Sequence, residues 1–210
     1  MVCLLPQKQI FHSKINGEII LFKFLTGKTL FVGGVTQSGG FTQAMWKTAI
    51  DQIRNSKFEI RNALILGIGG GTLIRLLRKY YPDISITGIE IDPVMIKIAK
   101  KYFDDKSLIP VRVIIGDATV WIRQQKIKDI FDLIIVDLYI GKFNPAGART
   151  KDFLLRLKQL LNKQGFVIYN SHYQEDDPSE YEDFKQKCRQ VFLGYEEILK
   201  YPLSRLVLLR

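Results

Sequence analysis

The chain of 210 residues has only two cysteines, Cys3 and Cys188, and two histidines, His12 and His172. The cysteines stand far apart and lack metal-ligand spacing, so neither a disulfide framework nor a cysteine-based metal site is expected. Two reduced thiols in a cytoplasmic protein are the expectation instead. Neither histidine has the partner pattern of a metal site or a nucleophile triad, and both read as structural or exposed. No apolar run approaches the roughly 20 residues of a membrane span. The stretch Met1 to Pro6 is too short for a signal peptide. Internal repeats and low-complexity segments are also missing.

What is present is a globular composition, with 47% hydrophobic and 25% charged residues. This length suits one domain with a small appendage. The formal net charge is +10, which admits an anionic partner such as nucleic acid. The basic residues are nevertheless spread along predicted helix faces and read as a solvated surface. Such a charge makes the protein a poor attractor for a polycation.

The informative stretch is Ala63-Leu-Ile-Leu-Gly-Ile-Gly-Gly-Gly-Thr72. Ala63 to Leu66 is an apolar run suited to a buried parallel strand. Gly67, Gly69 and Gly71 then spell G-x-G-x-G, and a helical pattern follows. A second strand, Ile84 to Ile91, carries Glu90 near its end. Asp92 and Pro93 read as the N-cap and first residue of the next helix. Glycines let the backbone turn and approach a ligand, while the helix N-terminus offers free N–H groups. An acid at the second strand's end can accept bonds from both ribose hydroxyls. A dinucleotide fingerprint would have its third glycine at Thr72, so the pattern favours an S-adenosyl ligand over NAD.

Taken in order, two β-rich runs flank Asn16-Gly17, the strongest short hairpin signal. Residues 1–36 are expected to form a small N-terminal β-hairpin element, and residues 37–210 a Rossmann-like domain. Ser38-Gly39-Gly40 reads as a flexible joint, with a helix over 41–55 after it. Further strands are expected at Val111 to Ile115, Phe131 to Val136 and Phe166 to Tyr169. Helices are expected at 94–103, 119–125, 151–162 and 181–192, with Gly165 stopping the third of these. Gly194 to Leu199 and Arg205 to Leu209 read as a closing antiparallel pair. Alternating strands and helices imply a doubly wound, mostly parallel α/β sheet. Glu90, Asp117, Asp137 and Asn170 fall at strand C-termini, where such sheets bind ligands. Asp117 and Asp137 could also serve as helix caps.

Four segments carry a resemblance: Leu64 to Gly71, Gly88-Ile-Glu-Ile-Asp-Pro93, Ile115-Gly-Asp-Ala118 and Phe131-Asp-Leu-Ile-Ile-Val-Asp137. Together they resemble spermidine synthases and their methyltransferase-like relatives, within the class I S-adenosylmethionine-binding fold. Gly34-Val-Thr-Gln37 resembles the G-V-x-Q that follows the small β element in that family. The resemblance implies that Gly67, Gly69 and Gly71 line the methionine part of the cofactor. It places Glu90 on the ribose and Asp117 on the adenine amino group, with Ala118 beside it. Gln37 would touch the cofactor from the N-terminal side, and Asp137 would lie next to the reacting centre. Homodimers are common among such relatives.

Two departures bear on the reaction. Aminopropyl-transferring members carry an acid where this chain has Gly70, for the free amine of decarboxylated S-adenosylmethionine. They also carry Asp-x-x-Asp for the amine substrate, where this chain has Asp137-Leu-Tyr-Ile140. A desolvated ammonium needs a paired carboxylate. The leading expectation is therefore an S-adenosylmethionine-dependent methyltransferase with a small-molecule or macromolecular acceptor. Asp137 would orient the acceptor or take its proton, and Tyr139 would shape the acceptor pocket. Asn144-Pro145-Ala-Gly147 is faintly like the N-P-P-Y of amino-methylating enzymes, but Ala146 and Gly147 break it. An aminopropyltransferase drawing on the acids Glu175, Asp176, Asp177, Glu180, Glu182 and Asp183 is the alternative. A non-catalytic S-adenosyl- or RNA-binding module is the third reading.

Overall fold

Ala63–Leu66 lies at the centre because its side chains are apolar on both faces and fully buried. In the computed structural model, which describes residues 6–56, 58–103, 110–125, 130–140, 144–172, 178–200 and 204–210, it belongs to strand β5, Asn62–Leu66. The main sheet has seven strands in the order β10-β11-β9-β8-β5-β6-β7. Strands β6 (Ser85–Glu90), β7 (Val111–Ile115), β8 (Phe131–Val136) and β9 (Leu161–His172) run parallel to β5. The closing pair, β10 (Tyr195–Lys200) and β11 (Ser204–Leu209), is antiparallel. This is the Rossmann-like methyltransferase fold.

Period-two alternation divides the core between the two faces. Ala63 and Ile65 pack with helices α1 (Gly40–Arg54) and α2 (Thr72–Tyr80). Leu64 and Leu66 pack with α4 (Ala118–Gln124), α5 (Lys151–Leu160) and α6 (Pro178–Val191). Strand order reverses at β5, between β6 and β8. The C-terminal ends of these strands open there into a crevice, as expected of a doubly wound sheet.

A separate antiparallel sheet precedes this one: β1 (Gln7–Ser13), β2 (Gly17–Phe24), β3 (Gly27–Val32) and β4 (Val35–Ser38). Its Ile19, Leu21, Leu30 and Val32 pack on Met95 and Ile98 of α3, Pro93–Ile98, which a π-helical turn, Ala99–Phe103, extends. That contact sets the β1–β2 turn beside the crevice.

Two local expectations are corrected. The segment 38–40 is no flexible joint, because Ser38 is fully buried at the end of β4 and Gly40 already starts α1. The hydroxyls of Ser38 and Thr72 share a 2.6 Å hydrogen bond. Gly165 does not stop α5, which ends at Leu160 and passes directly into β9. At Gly165 a Cβ would lie 2.7 Å from the Asp132 carbonyl oxygen, so glycine serves close strand approach. Cys3, Glu175, Asp176 and Asp177 lie outside the described residues. Among the described residues, no helix is long and apolar enough to cross a membrane, and no His, Cys, Asp and Glu group could hold a metal.

Candidate active site

The crevice is a cleft open to solvent, lined from the C-terminal ends of β5, β6, β7 and β8. The glycine loop forms its floor. Gly67 sits at φ 93° and Gly69 at φ 52°, both in the left-handed region. A Cβ on Gly67 would come 2.2 Å from the Asp137 carbonyl oxygen. The β5 and β8 backbones therefore touch at this point, and only glycine fits there.

Glu90 closes one wall. Its Oε2 accepts from the backbone N–H groups of Ile68 at 3.1 Å and Gly69 at 3.0 Å. Its Oε1 accepts from Asp92 N–H at 3.0 Å. Burial pushes its pKa up, while those three N–H bonds oppose the shift and the Asp92 carboxylate adds to it. With two donors on Oε2 and one on Oε1, Oε1 is the oxygen that keeps lone-pair capacity for a ligand hydroxyl. Asp92 caps α3 through Val94 N–H at 2.9 Å, as expected, and accepts from Asn16 Nδ2 at 2.7 Å. Thus the Asn16-Gly17 turn, legible only as a hairpin, contributes a lining side chain.

Asp117 and Ala118 begin α4 on the far wall. Asp117 Oδ1 accepts from Thr119 N–H and Thr119 O–H, each at 2.7 Å. Burial raises its pKa, but the Thr119 bonds outweigh that and leave it below its ordinary value. It is a helix cap and a cleft residue at once.

The remaining wall comes from the ends of β8 and β9. Asp137 Oδ1 accepts from Tyr139 O–H at 2.6 Å and from Asn170 Nδ2 at 2.9 Å. Asn170 Nδ2 also donates to the Tyr139 hydroxyl oxygen at 2.8 Å. Burial lifts the Asp137 pKa to about 6, against the pull of the Tyr139 and Asn170 donors, with Glu90 adding to the rise. The Trp46 indole, on α1, also favours the Asp137 anion, although its N–H makes no hydrogen bond of ordinary geometry. Burial and the Asp137 charge hold the Tyr139 phenol well above its normal range. The His172 ring packs edge-on against Tyr139 at 4.3 Å, and burial lowers its pKa to about 3.

Asn144 fixes this wall. Its Nδ2 donates to the carbonyls of Leu138 at 2.8 Å and Asn170 at 3.0 Å, and its Oδ1 accepts from His172 N–H at 2.7 Å.

The structure thus brings Gln37, Gly67, Gly69, Glu90, Asp117, Ala118, Asp137 and Tyr139 to one cleft. Gly71 does not line it: at φ 77° it is the N-cap of α2, where its conformation turns the chain into the helix. Asn170 was legible as a strand-end polar residue, but its bonds to Asp137 and Tyr139 were not. Of the acids of the alternative reading that are described, Glu180 pairs with Arg149 at 3.1 Å and Asp183 lies beside Lys187. His172 is buried and packed on a site residue. Three carboxylates line the cleft and, among its described lining residues, no lysine or arginine. The net charge of the whole chain therefore says little about the charge a ligand meets there.

Fold and cleft define an α/β protein with the Rossmann-like methyltransferase fold and an acidic, glycine-floored crevice. More narrowly, the chain belongs to the spermine/spermidine synthase domain family, whose domain matches residues 48–203. A polyamine aminopropyltransferase of Vibrio vulnificus is 37% identical over 109 residues, covering 51% of this chain and 36% of that protein. An eEF1A lysine and N-terminal methyltransferase homolog of Drosophila pseudoobscura is 31% identical over 126 residues, covering 56% of this chain and 19% of that protein. The chain therefore spans well under two thirds of these relatives' lengths. A probable spermidine synthase from Corynebacterium glutamicum superposes with a TM-score of 0.78 at 18% identity, covering 97% of this chain and 80% of that one. Human methyltransferase-like protein 13, solved with SAH, superposes with a TM-score of 0.68 at 20% identity, covering 82% of each chain.

Proposed function

We propose that the protein is an S-adenosylmethionine-dependent methyltransferase acting on an amine. The family and its relatives support a transferase using an S-adenosyl donor. Gly67 and Gly69 leave the floor free of side chains where a donor must approach. The Glu90 carboxylate, tied to three backbone N–H groups, is preset to accept from a ribose. Bound there, the donor supplies a sulfonium-activated methyl group. The chain's own task is to align the acceptor nitrogen behind that methyl and keep water out. As the N–C bond forms, the S–C electron pair stays on sulfur and the amine gives up a proton. Asp137 is placed to hold the amine and receive that proton, and above about pH 6 it is the anion this requires. Ile140, exposed at the cleft rim, gives the acceptor's carbon chain an apolar contact.

The observation that carries methyl over aminopropyl transfer is the packing at Gly70. A Cβ there would meet Ser38 Cβ at 2.5 Å and Ser38 Oγ at 2.7 Å. The Ser38–Thr72 pair fills the space that a side chain at position 70 would need. Position 70, a glycine, supplies no carboxylate of its own for the free amine of a decarboxylated donor. One observation favours the aminopropyl reading: an acidic cleft with no cation among its described lining residues suits a doubly cationic donor.

Titration of the protein with S-adenosylmethionine and its decarboxylated form decides between them. The wild type is expected to prefer S-adenosylmethionine. The double variant Ser38→Gly, Gly70→Asp makes room for a carboxylate and is expected to shift preference towards the decarboxylated form by roughly tenfold or more. A wild type that prefers the decarboxylated donor, or makes spermidine from putrescine, would establish the aminopropyl reading instead.

A further inference from the structure

Asn170 is fully buried at the end of β9, yet the donor motifs do not involve it. Its amide nitrogen reaches both Asp137 Oδ1, at 2.9 Å, and the Tyr139 hydroxyl, at 2.8 Å. Tyr139 in turn donates to that same Asp137 oxygen at 2.6 Å. The three groups close a triangle in which every direction is fixed by chemistry. A carboxylate can only accept, so Asn170 must present its NH₂ to it and not its carbonyl. With its lone pair taken by Asn170, the Tyr139 hydroxyl sends its proton to Asp137. Two donors then occupy Oδ1, so Oδ2 is the oxygen with acceptor capacity left, beside the weaker approach of the Trp46 indole to the carboxylate.

The cost of this orientation is visible. Among the described residues, Asn170 Oδ1 is buried without a hydrogen-bond partner, which is unfavourable in a low-dielectric setting. The backbone beneath is held independently, because Asn144 Nδ2 binds the Asn170 carbonyl at 3.0 Å. A residue serving only to fill space there would not need an amide.

We propose that Asn170 is a positioning residue of the transfer step: it locks Asp137 and Tyr139 into one array and directs a single Asp137 oxygen at the reacting centre. This rests on the reading of the cleft as an S-adenosyl site. The groups facing Asp137 are the Glu90 carboxylate from β6, the Tyr139 phenol from the loop after β8, the Trp46 indole from α1 and Asn170 itself from β9. His172, also on β9, stands behind Tyr139. Glu90 and burial favour a neutral Asp137, whereas Asn170, Tyr139 and Trp46 favour the anion. Losing Asn170 therefore disturbs the direction of the carboxylate and also its charge at neutral pH.

The test uses S-adenosylmethionine and S-adenosylhomocysteine, which differ by the methyl group and its positive charge. Calorimetric affinities for both are measured from pH 5 to 8 on wild type, Asn170→Asp and Asn170→Leu. In the wild type, preference for the charged ligand should rise with pH through a bend near pH 6, where Asp137 is half ionised, and level off about one unit above it. Both variants should move that bend upward by at least one pH unit, the shift expected when a hydrogen bond to a charged group is lost. Tyr139→Phe removes the other donor and should move it the same way, which keeps the test usable if one Asn170 variant folds poorly. A bend that stays put in folded Asn170 variants overturns the proposal, as does a wild-type preference that is flat with pH. Failure of either ligand to bind the wild type removes the S-adenosyl reading of the cleft, and this proposal with it.

Discussion

The two halves of the cleft are built on different plans. On the donor half, a few neighbouring backbone segments do everything. Gly67 and Gly69 shape the floor, and Glu90 binds the N–H groups of Ile68, Gly69 and Asp92. On the acceptor half, side chains from distant segments meet: Asp137 and Tyr139 after β8, Asn170 and His172 on β9, and Trp46 on α1. On the donor half the Glu90 and Asp117 carboxylates are paired, whereas, among the described residues, Asn170 Oδ1 and His172 Nε2 behind the acceptor half are buried with no partner.

The sharpest way to break this contrast is at the seam between the halves. Gly67→Ala would set a Cβ 2.2 Å from the Asp137 backbone oxygen at a left-handed φ of 93°. Neither partner can move without parting β5 from β8. The variant is expected to lose on the order of 3 kcal/mol of stability, read by chemical denaturation. Gly116→Ala, on the same cleft but with nothing within 4 Å of its Cβ, should stay within about 0.5 kcal/mol of wild type. Equal losses at both positions would show that the seam is not rigid.

A smaller effect separates the halves by ligand. Glu90→Ala should weaken S-adenosylhomocysteine binding by about 2–3 kcal/mol, since it removes an acceptor of ribose hydroxyls and also the tie that orders Ile68 and Gly69. Asp137→Asn should change the same affinity by less than about 0.5 kcal/mol, because this ligand carries neither sulfonium charge nor acceptor. Calorimetry on folded variants checks both, and similar losses would mean that the halves share one ligand contact.

The same contrast explains what was legible in the sequence. Gly67, Gly69, Glu90, Asp92 and Asp117 lie at strand ends within or near one continuous motif, so spacing alone places them together. Gly71 belongs to that motif as well, but its duty is to cap α2, which spacing cannot distinguish from lining a ligand. Ser38 was read as part of a flexible joint and Gly165 as a helix stop because the close contacts at these positions, Ser38 with Thr72 and Gly165 with the Asp132 carbonyl, are unseen in sequence. Asn144 stands 26 residues before Asn170 and 28 before His172, the two residues its side chain clamps. No local period announces such a meeting, and a long-range side-chain network becomes visible only once strand order is known.

The smallest predicted effect is a pair of opposed pH slopes within the acceptor half. Burial raises Asp137 from 3.8 to about 6. Between these values the folded state holds a proton that the unfolded chain has released, so stability falls as pH rises through the window. Burial lowers His172 from 6.5 to about 3. Between those values the unfolded chain binds a proton that the folded state refuses, so stability rises with pH. Each group contributes at most about 1.4 kcal/mol per pH unit, and from pH 4.5 to 5.5 the two contributions largely cancel. Asp137→Asn removes the falling slope and should make stability rise across that interval by about 1 kcal/mol more than in wild type. His172→Leu removes the rising slope and should make it fall by a similar amount. Other carboxylates titrate in the same range, but they drop out of each comparison with wild type. Urea denaturation of the three proteins at pH 4.5 and 5.5 measures all of this. Slopes unchanged in both variants would mean that Asp137 and His172 titrate in the native state as they do in water, and that the acceptor wall is wetter than its packing implies.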